Sequence, residues 1–283
     1  MEVNQNNSTE FQRHGFLSIT AAAEAERFRT HLTGWTGLYY DVNAFAQNVV
    51  YQVQPDNRNA RQLLAFSCFY RASTAFQSVF LLVERGIDVE SKVLLRSMTE
   101  TAIVLTAIAK QPKFAEEYIR ASEDTERKLL KKTLEVQTDN IFFTTEESKV
   151  MRARLDVLEQ RKKSDPNWTK EITVLDIAEK AELGSVYKQH YAYLSMYTHP
   201  SPSGMAEYLV TDAAGSITHH RVGRHDDDAE GNLRVAVVMM LQAASAIGQI
   251  FNLSHSDRLS EFDSRMKDVI DNSPSLKWAH VST

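Results

Sequence analysis

The sequence predicts an all-α fold: a single multi-helix bundle with one small β-hairpin near residues 207–222. Three observations predict it. Apolar residues recur at three- and four-residue spacing through most of the chain. Capping residues and proline or glycine stops fall at the ends of those runs. Strand-like alternation is confined to one short stretch. The 283 residues are 43% hydrophobic and 24% charged, which suits a chain that buries a substantial core. No Pro-, Gly- or Ser-rich stretch splits the chain. The organisation expected is a flexible segment over 1–19, one helical domain over 20–272 and a polar tail over 273–283.

The first helix is predicted from about Thr20 to Val53, with Trp35, Leu38, Tyr39, Val42 and Val49 on one face, Gly34 and Gly37 as possible bends, and Pro55 as its stop. Asp56 is placed to cap a second helix from about Asn57 to Arg85, and Gly86 suits its C-terminal end. A third helix follows from about Val89 to Lys110, joined so tightly that the two should be antiparallel neighbours. The fourth, Lys113 to Gln137, is amphipathic and heavily charged. Thr144 with Glu147, and Thr173 with Asp176, have the spacing of capping boxes for a fifth and a sixth helix. Gly184 is read as closing the sixth, with Ser185 capping a seventh that ends at His199, because proline at 200 disfavours helical geometry in the residue before it. Glu207–Val210 and Ser216–Val222 flank Asp212-Ala213-Ala214-Gly215 as a hairpin. A long apolar helix from Asn232 to Leu253 and an amphipathic one from Asp257 to Asp271 complete the chain.

Net charge is −5, and basic residues are interspersed with acidic ones, so nucleic acid is not favoured as a partner. The single cysteine, Cys68, sits in an apolar run and reads as a small buried hydrophobe in a reducing compartment. Met1–His14 is polar without the apolar core of a leader, and Val235–Phe251, though uncharged, is interrupted by Gln242, Ser245 and Gln249. It reads as a buried central helix. A cytoplasmic protein with no membrane association is therefore expected. No Walker loop, no GxGxxG opening a helix, no GxSxG elbow and no paired Cys/His ligands are present, and neither a cofactor nor a metal is expected. His219, His220, His225 and Asp226–Asp228 read as a loop surface.

Polar chemistry meets apolar helix at three places. Arg96 and Glu100 lie one turn apart at the edge of a segment apolar all round, so Glu100 needs a partner and Arg96 can supply it. His199 ends the Tyr193-Leu194-Ser195 helix; Ser195 lies four residues before it on the same face, while Tyr187, Tyr191 and Leu194 form another. The expectation drawn from these is one buried cluster of Arg96, Glu100 and His199, with Ser195 and Tyr193 near it. The third place is the uncharged stripe Gln242, Ser245, Gln249 and Asn252, which suggests a partner helix, a subunit interface or a cavity lining. Tyr70, Ser73 and Gln77 make a shorter track, of which Tyr70 is a further ligand-binding candidate.

The run Ser73–Phe76 before Leu81–Gly86, then Leu94-Leu95-Arg96-Ser97-Met98-Thr99-Glu100, then Tyr193-Leu194-Ser195 leading to His199, resembles a widespread bacterial helical family, domain of unknown function 5677. The resemblance implies a helical fold with Arg96, Glu100 and His199 as characteristic polar positions, and no settled activity. A looser resemblance is to the HEPN group of helical ribonucleases, which carry an arginine four to six residues before a histidine. Here those positions are Ser195, Leu194 and Tyr193.

Two functions follow. The first is a helical module, regulatory or part of bacterial defence and self-associating, a dimer above other states. It would bind a small polar ligand or a protein partner near Arg96, Glu100 and His199. The second is a metal-independent nuclease using His199 as acid or base and Arg96 against phosphate.

Overall fold

A computed structural model describes residues 5–136 and 143–272. The tail expected over 273–283 and the end of the fourth helix at Gln137 lie outside the described residues.

Among the described residues the regular structure is helical apart from one two-stranded hairpin, with loops and turns between the helices. Residues 5–17, read from sequence as part of a flexible lead-in, form α1 (Gln5–His14) and a single 3-10 turn. Phe11 and Phe16 meet edge to face, and Arg85 donates to the carbonyl of Phe16, which ties this segment to the body of the protein.

The long first helix is in fact two, α2 (Ile19–His31) and α3 (Thr33–Gln52), broken at Leu32. Leu32 is buried with a non-helical backbone, so the break comes from packing, and neither Gly34 nor Gly37 interrupts the helix. Helix α4 (Ala60–Val83) is capped by Asn59, whose side chain accepts from the Gln62 amide. Asp56 instead closes a local turn with the Arg58 amide, so the start lies three residues later than Asn57.

Gly86 adopts φ +73 and ends α4 with paired amide bonds from Gly86 and Ile87 back to Val83 and Leu82. Helix α5 (Asp88–Lys110) then returns along α4. Helix α6 (Phe114–Glu135) and α7 (Thr145–Ser164) face each other through Arg127–Glu159, Arg154–Glu126 and Arg161–Glu123. Both expected capping boxes are formed, at α7 and at α8 (Val174–Lys180). Glu182, at φ 59, ends α8; Gly184 opens the next helix instead of closing this one, and Ser185 lies inside it.

That next helix is α9 (Gly184–Val186), one π-helical turn (Tyr187–Tyr191) and α10 (Ala192–Thr198), with His199 extended as the following proline requires. A short α11 (Pro202–Met205) leads into the hairpin of β1 (Leu209–Thr211) and β2 (Ile217–His220). The strands pair antiparallel, Leu209 opposite His220, and Asp212 holds the turn by accepting from the Ala214 and Ser216 amides.

Helix α12 (Ala229–Phe251) is the centre of the fold, packed against α3, α4 and α5. By length and composition it could cross a membrane, yet Leu233, Ala236, Val237, Met240, Ala243 and Ile247 are all fully buried in the core. Leu233, Val237, Met240 and Ile247 each contribute about 1.5–3 kcal/mol, and the alanines less. Helix α13 (Ser256–Asn272) covers its outer side through Phe262 and Met266. This accounts for part of the uncharged stripe: Gln242 bonds Thr106 of α5, Gln242 and Ser245 line a cleft against α13, Asn252 is the left-handed C-cap, and Gln249 stays exposed.

Candidate functional site

Helix α5 places Lys92, Arg96 and Glu100 on one face at intervals of one turn, and α10 lies across that face. The Arg96 guanidinium is held on three sides. Its Nη1 donates to Glu100 Oε2 at 3.2 Å, its Nε to Ser195 Oγ at 3.4 Å, and its Nη2 to the Tyr191 hydroxyl. Tyr191 in turn donates to the same Glu100 oxygen at 3.3 Å, and its ring lies 4.6 Å below the guanidinium carbon. Ser195 anchors itself on the Tyr191 carbonyl. Burial, together with the Glu100 charge, pushes the Tyr191 phenol up to about 12, so it is a neutral donor at physiological pH.

Arg96 and Glu100 are half-buried, at 27% and 34% side-chain exposure, so this is an open cluster where a closed one was expected. His199 is exposed at the end of α10, and its ring makes no hydrogen bond or ion pair among the described residues. The reason is positional: Ser195 reaches α5, and the next turn carries His199 beyond the helix end. Tyr191 replaces it as the aromatic partner. Its spacing of four before Ser195 was a signal for this, and the π-helical turn that ends at Tyr191 is the local irregularity that accompanies it.

On its other side the cluster opens into a groove of about 440 Å³ between α4, α5 and α6. Arg71 and Cys68 of α4, Arg96, Ser97 and Glu100 of α5, and Tyr118 of α6 line it. Arg71 donates to Ser97 Oγ at 3.0 Å, and no carboxylate pairs with it among the described residues. Burial pushes the Cys68 thiol up to about 11 despite Arg71, which leaves it protonated and poorly nucleophilic. The Tyr118 phenol is also raised, by burial first and then by Cys68 and Glu100.

Tyr70 does not join this groove. It is 54% exposed and stacks on Phe66, while Ser73 and Gln77 of the same track bond Gln47 and Asn43 of α3. Tyr193 belongs to a second polar cluster, centred on Lys92, which composition and spacing did not single out. Lys92 is 2% exposed, pairs with Asp228 at 2.5 Å and Glu207 at 3.5 Å, and lies over the Tyr197 ring. Tyr197 donates to Glu207 and shares a 2.8 Å bond with the Tyr193 hydroxyl. Burial pulls the Lys92 amine down, but its bond to Asp228 and the charges of Asp228 and Glu207 outweigh it, and the net direction is upward. It stays an ammonium.

Beside it, Asp88 is buried and accepts the Asp228 amide; burial, then the Asp226 charge, pushes its carboxyl up to about 7. The three aspartates after the hairpin each meet a different cation, Asp226 with Arg224, Asp227 with Arg221 and Asp228 with Lys92. Arg224 and His225 also bond the backbone of Glu84 and Gly86, so the segment after the hairpin is strapped over the α4–α5 turn.

No curated protein and no solved structure matches this chain. A family match covers residues 62–217, more than half of the chain, from the start of α4 to the second strand of the hairpin. It takes in the Arg96 cluster, the groove and most of the Lys92 cluster. The chain belongs to this family, described as Family of unknown function (DUF5677).

Proposed function

We propose that the protein is a binding module for a small polar ligand carrying an anionic group, taken up in the groove between α4, α5 and α6. The observation that carries the reading is the state of its two arginines. Arg96 is immobilised by Glu100, Tyr191 and Ser195 yet borders an open groove, and Arg71 on the facing wall has no carboxylate partner among the described residues. A guanidinium fixed before the ligand arrives loses little entropy on binding. A regulatory role in the cytoplasm, with self-association, is part of the same proposal. Exposed Tyr40 and Leu81 beside a small cleft with Tyr39 and Phe80 support the self-association.

The nuclease reading asks for a histidine and an arginine on one phosphate, and His199 does not line the Arg96 groove. Thermal unfolding with acetate and with phosphate, against chloride at equal ionic strength, tests the proposal. A ligand-dependent rise in melting temperature that Arg96→Gln abolishes supports it. An equal rise in wild type and Arg96→Gln overturns it.

A further inference from the structure

The groove offers more than positive charge. Glu100 uses Oε2 for both Arg96 and Tyr191, while its Oε1 accepts no hydrogen bond among the described residues. Arg71 spends one N–H on Ser97, and the rest of its fork makes no hydrogen bond among the described residues. Ser97 and Glu100 are three residues apart on α5, hence neighbours on one face at about 5–6 Å. The guanidinium edge of Arg71 on the α4 wall and the carboxylate oxygen of Glu100 on the α5 wall therefore border the same groove, linked through Ser97.

We propose that the ligand is a small zwitterion, an amine and a carboxylate on one short skeleton, of the free α-amino acid class with an apolar side chain. This rests on the reading of the groove as an anion site. A carboxylate facing Arg71 and an ammonium facing Glu100 can be joined through one tetrahedral carbon, with charge-assisted bonds of about 2.7–2.9 Å at each end. The placement of charge favours the same choice: a zwitterion sets opposite charges against Arg71 and Glu100 separately, whereas a phosphate dianion would meet the two arginines but also face the Glu100 carboxylate. Leu64 and Val104 supply an apolar wall for a side chain, and about 440 Å³ suits a small ligand.

Calorimetric titration of the full chain with four probes tests this: L-leucine, 4-methylpentanoate (the same skeleton without the amine), 3-methylbutylamine (without the carboxylate) and inorganic phosphate. Leucine is expected to bind at least about tenfold more tightly than any of the others, because each lost charge-assisted bond costs about that factor. In Glu100→Gln the preference of leucine over 4-methylpentanoate should fall below about threefold while the acid keeps its affinity. Arg71→Gln should weaken leucine and 4-methylpentanoate together and leave the amine unchanged. Both positions are partly exposed, and a wild-type melting profile establishes that each variant folds. Equal binding of leucine and 4-methylpentanoate, or tighter binding of phosphate, overturns the zwitterion and leaves the anion groove standing. No heat from any of the four probes overturns both.

Discussion

Arg96 and Tyr191, 95 residues apart in sequence, meet twice: hydroxyl to guanidinium, and ring face to guanidinium plane at 4.6 Å. The two contacts can be separated. Tyr191→Phe keeps the stacking and removes the hydroxyl that links Arg96 to Glu100. Because the cluster is half-exposed, the stability cost should be about 1 kcal/mol by urea unfolding. Affinity for an anionic ligand should fall more than stability, since the arginine loses one of three tethers. Unchanged affinity in Tyr191→Phe would mean that the tether does not position Arg96.

Lys92 and Asp228 are unequal partners, and the inequality has a sign. The lysine is 2% exposed and the aspartate side chain 50%. Asp228→Ala removes the nearer carboxylate from a buried ammonium and leaves Glu207 at 3.5 Å as its ion-pair partner among the described residues, and should cost about 2–3 kcal/mol. Lys92→Met fills the same space, leaves a carboxylate that water can reach, and should cost less than about 1.5 kcal/mol. Chemical denaturation of both variants checks the order, and the reverse order would contradict the assignment of burial.

Asp88 makes stability depend on pH in the direction opposite to a salt-bridged carboxylate. Its folded value of about 7 lies above the ordinary 3.8, so between these values the folded state holds a proton that the unfolded state has released. Its contribution is greatest below about pH 4 and is lost as pH rises to about 7, by up to about 1.4 kcal/mol per pH unit. Asp88→Asn keeps an acceptor for the Asp228 amide and cannot titrate. The stability of the variant relative to wild type should therefore rise across that window in a pH series of unfolding curves. A constant difference would show that the carboxyl is not raised.

Gly86 is required twice over. At φ +73 any side chain is strained, by about 1–2 kcal/mol, and a Cβ would stand 2.1 Å from Arg224 Cγ. Gly215, at φ +82 with nothing within 4 Å of a Cβ, bears the backbone strain alone. Gly86→Ala should destabilise clearly more than Gly215→Ala and speed hydrogen exchange at the His225 amide, which donates to Gly86. Equal costs would mean that the strap over the turn carries no packing energy.

Much of this was legible in sequence because it depends on local chemistry. Thr144 with Glu147, Thr173 with Asp176, Gly86 after α4 and His199 before proline each act within one turn, and each marks an observed boundary. The pairing of Arg96 with Glu100 was legible for the same reason. What depends on tertiary packing was not. Leu32 breaks a helix because the core takes it, and Glu182 adopts a positive φ two residues before the glycine that looked made for it. Nothing in the sequence singles out Lys92, because its partner Asp228 lies 136 residues away. Arg71 escaped notice because its meaning lies in tertiary placement: it borders the groove with no carboxylate pairing with it among the described residues.

The account turns on Arg96 and Arg71 as the groups that meet the ligand. The most direct measurement follows arginine Nε–Hε signals by nuclear magnetic resonance while L-leucine or acetate is added to the full chain. The signals of Arg96 and Arg71 should move together along one saturable curve. Arg154, paired with Glu126 on the α6–α7 face, should stay still. Saturable shifts at the His199 ring with Arg96 and Arg71 unmoved would contradict the account and place the site at the end of α10.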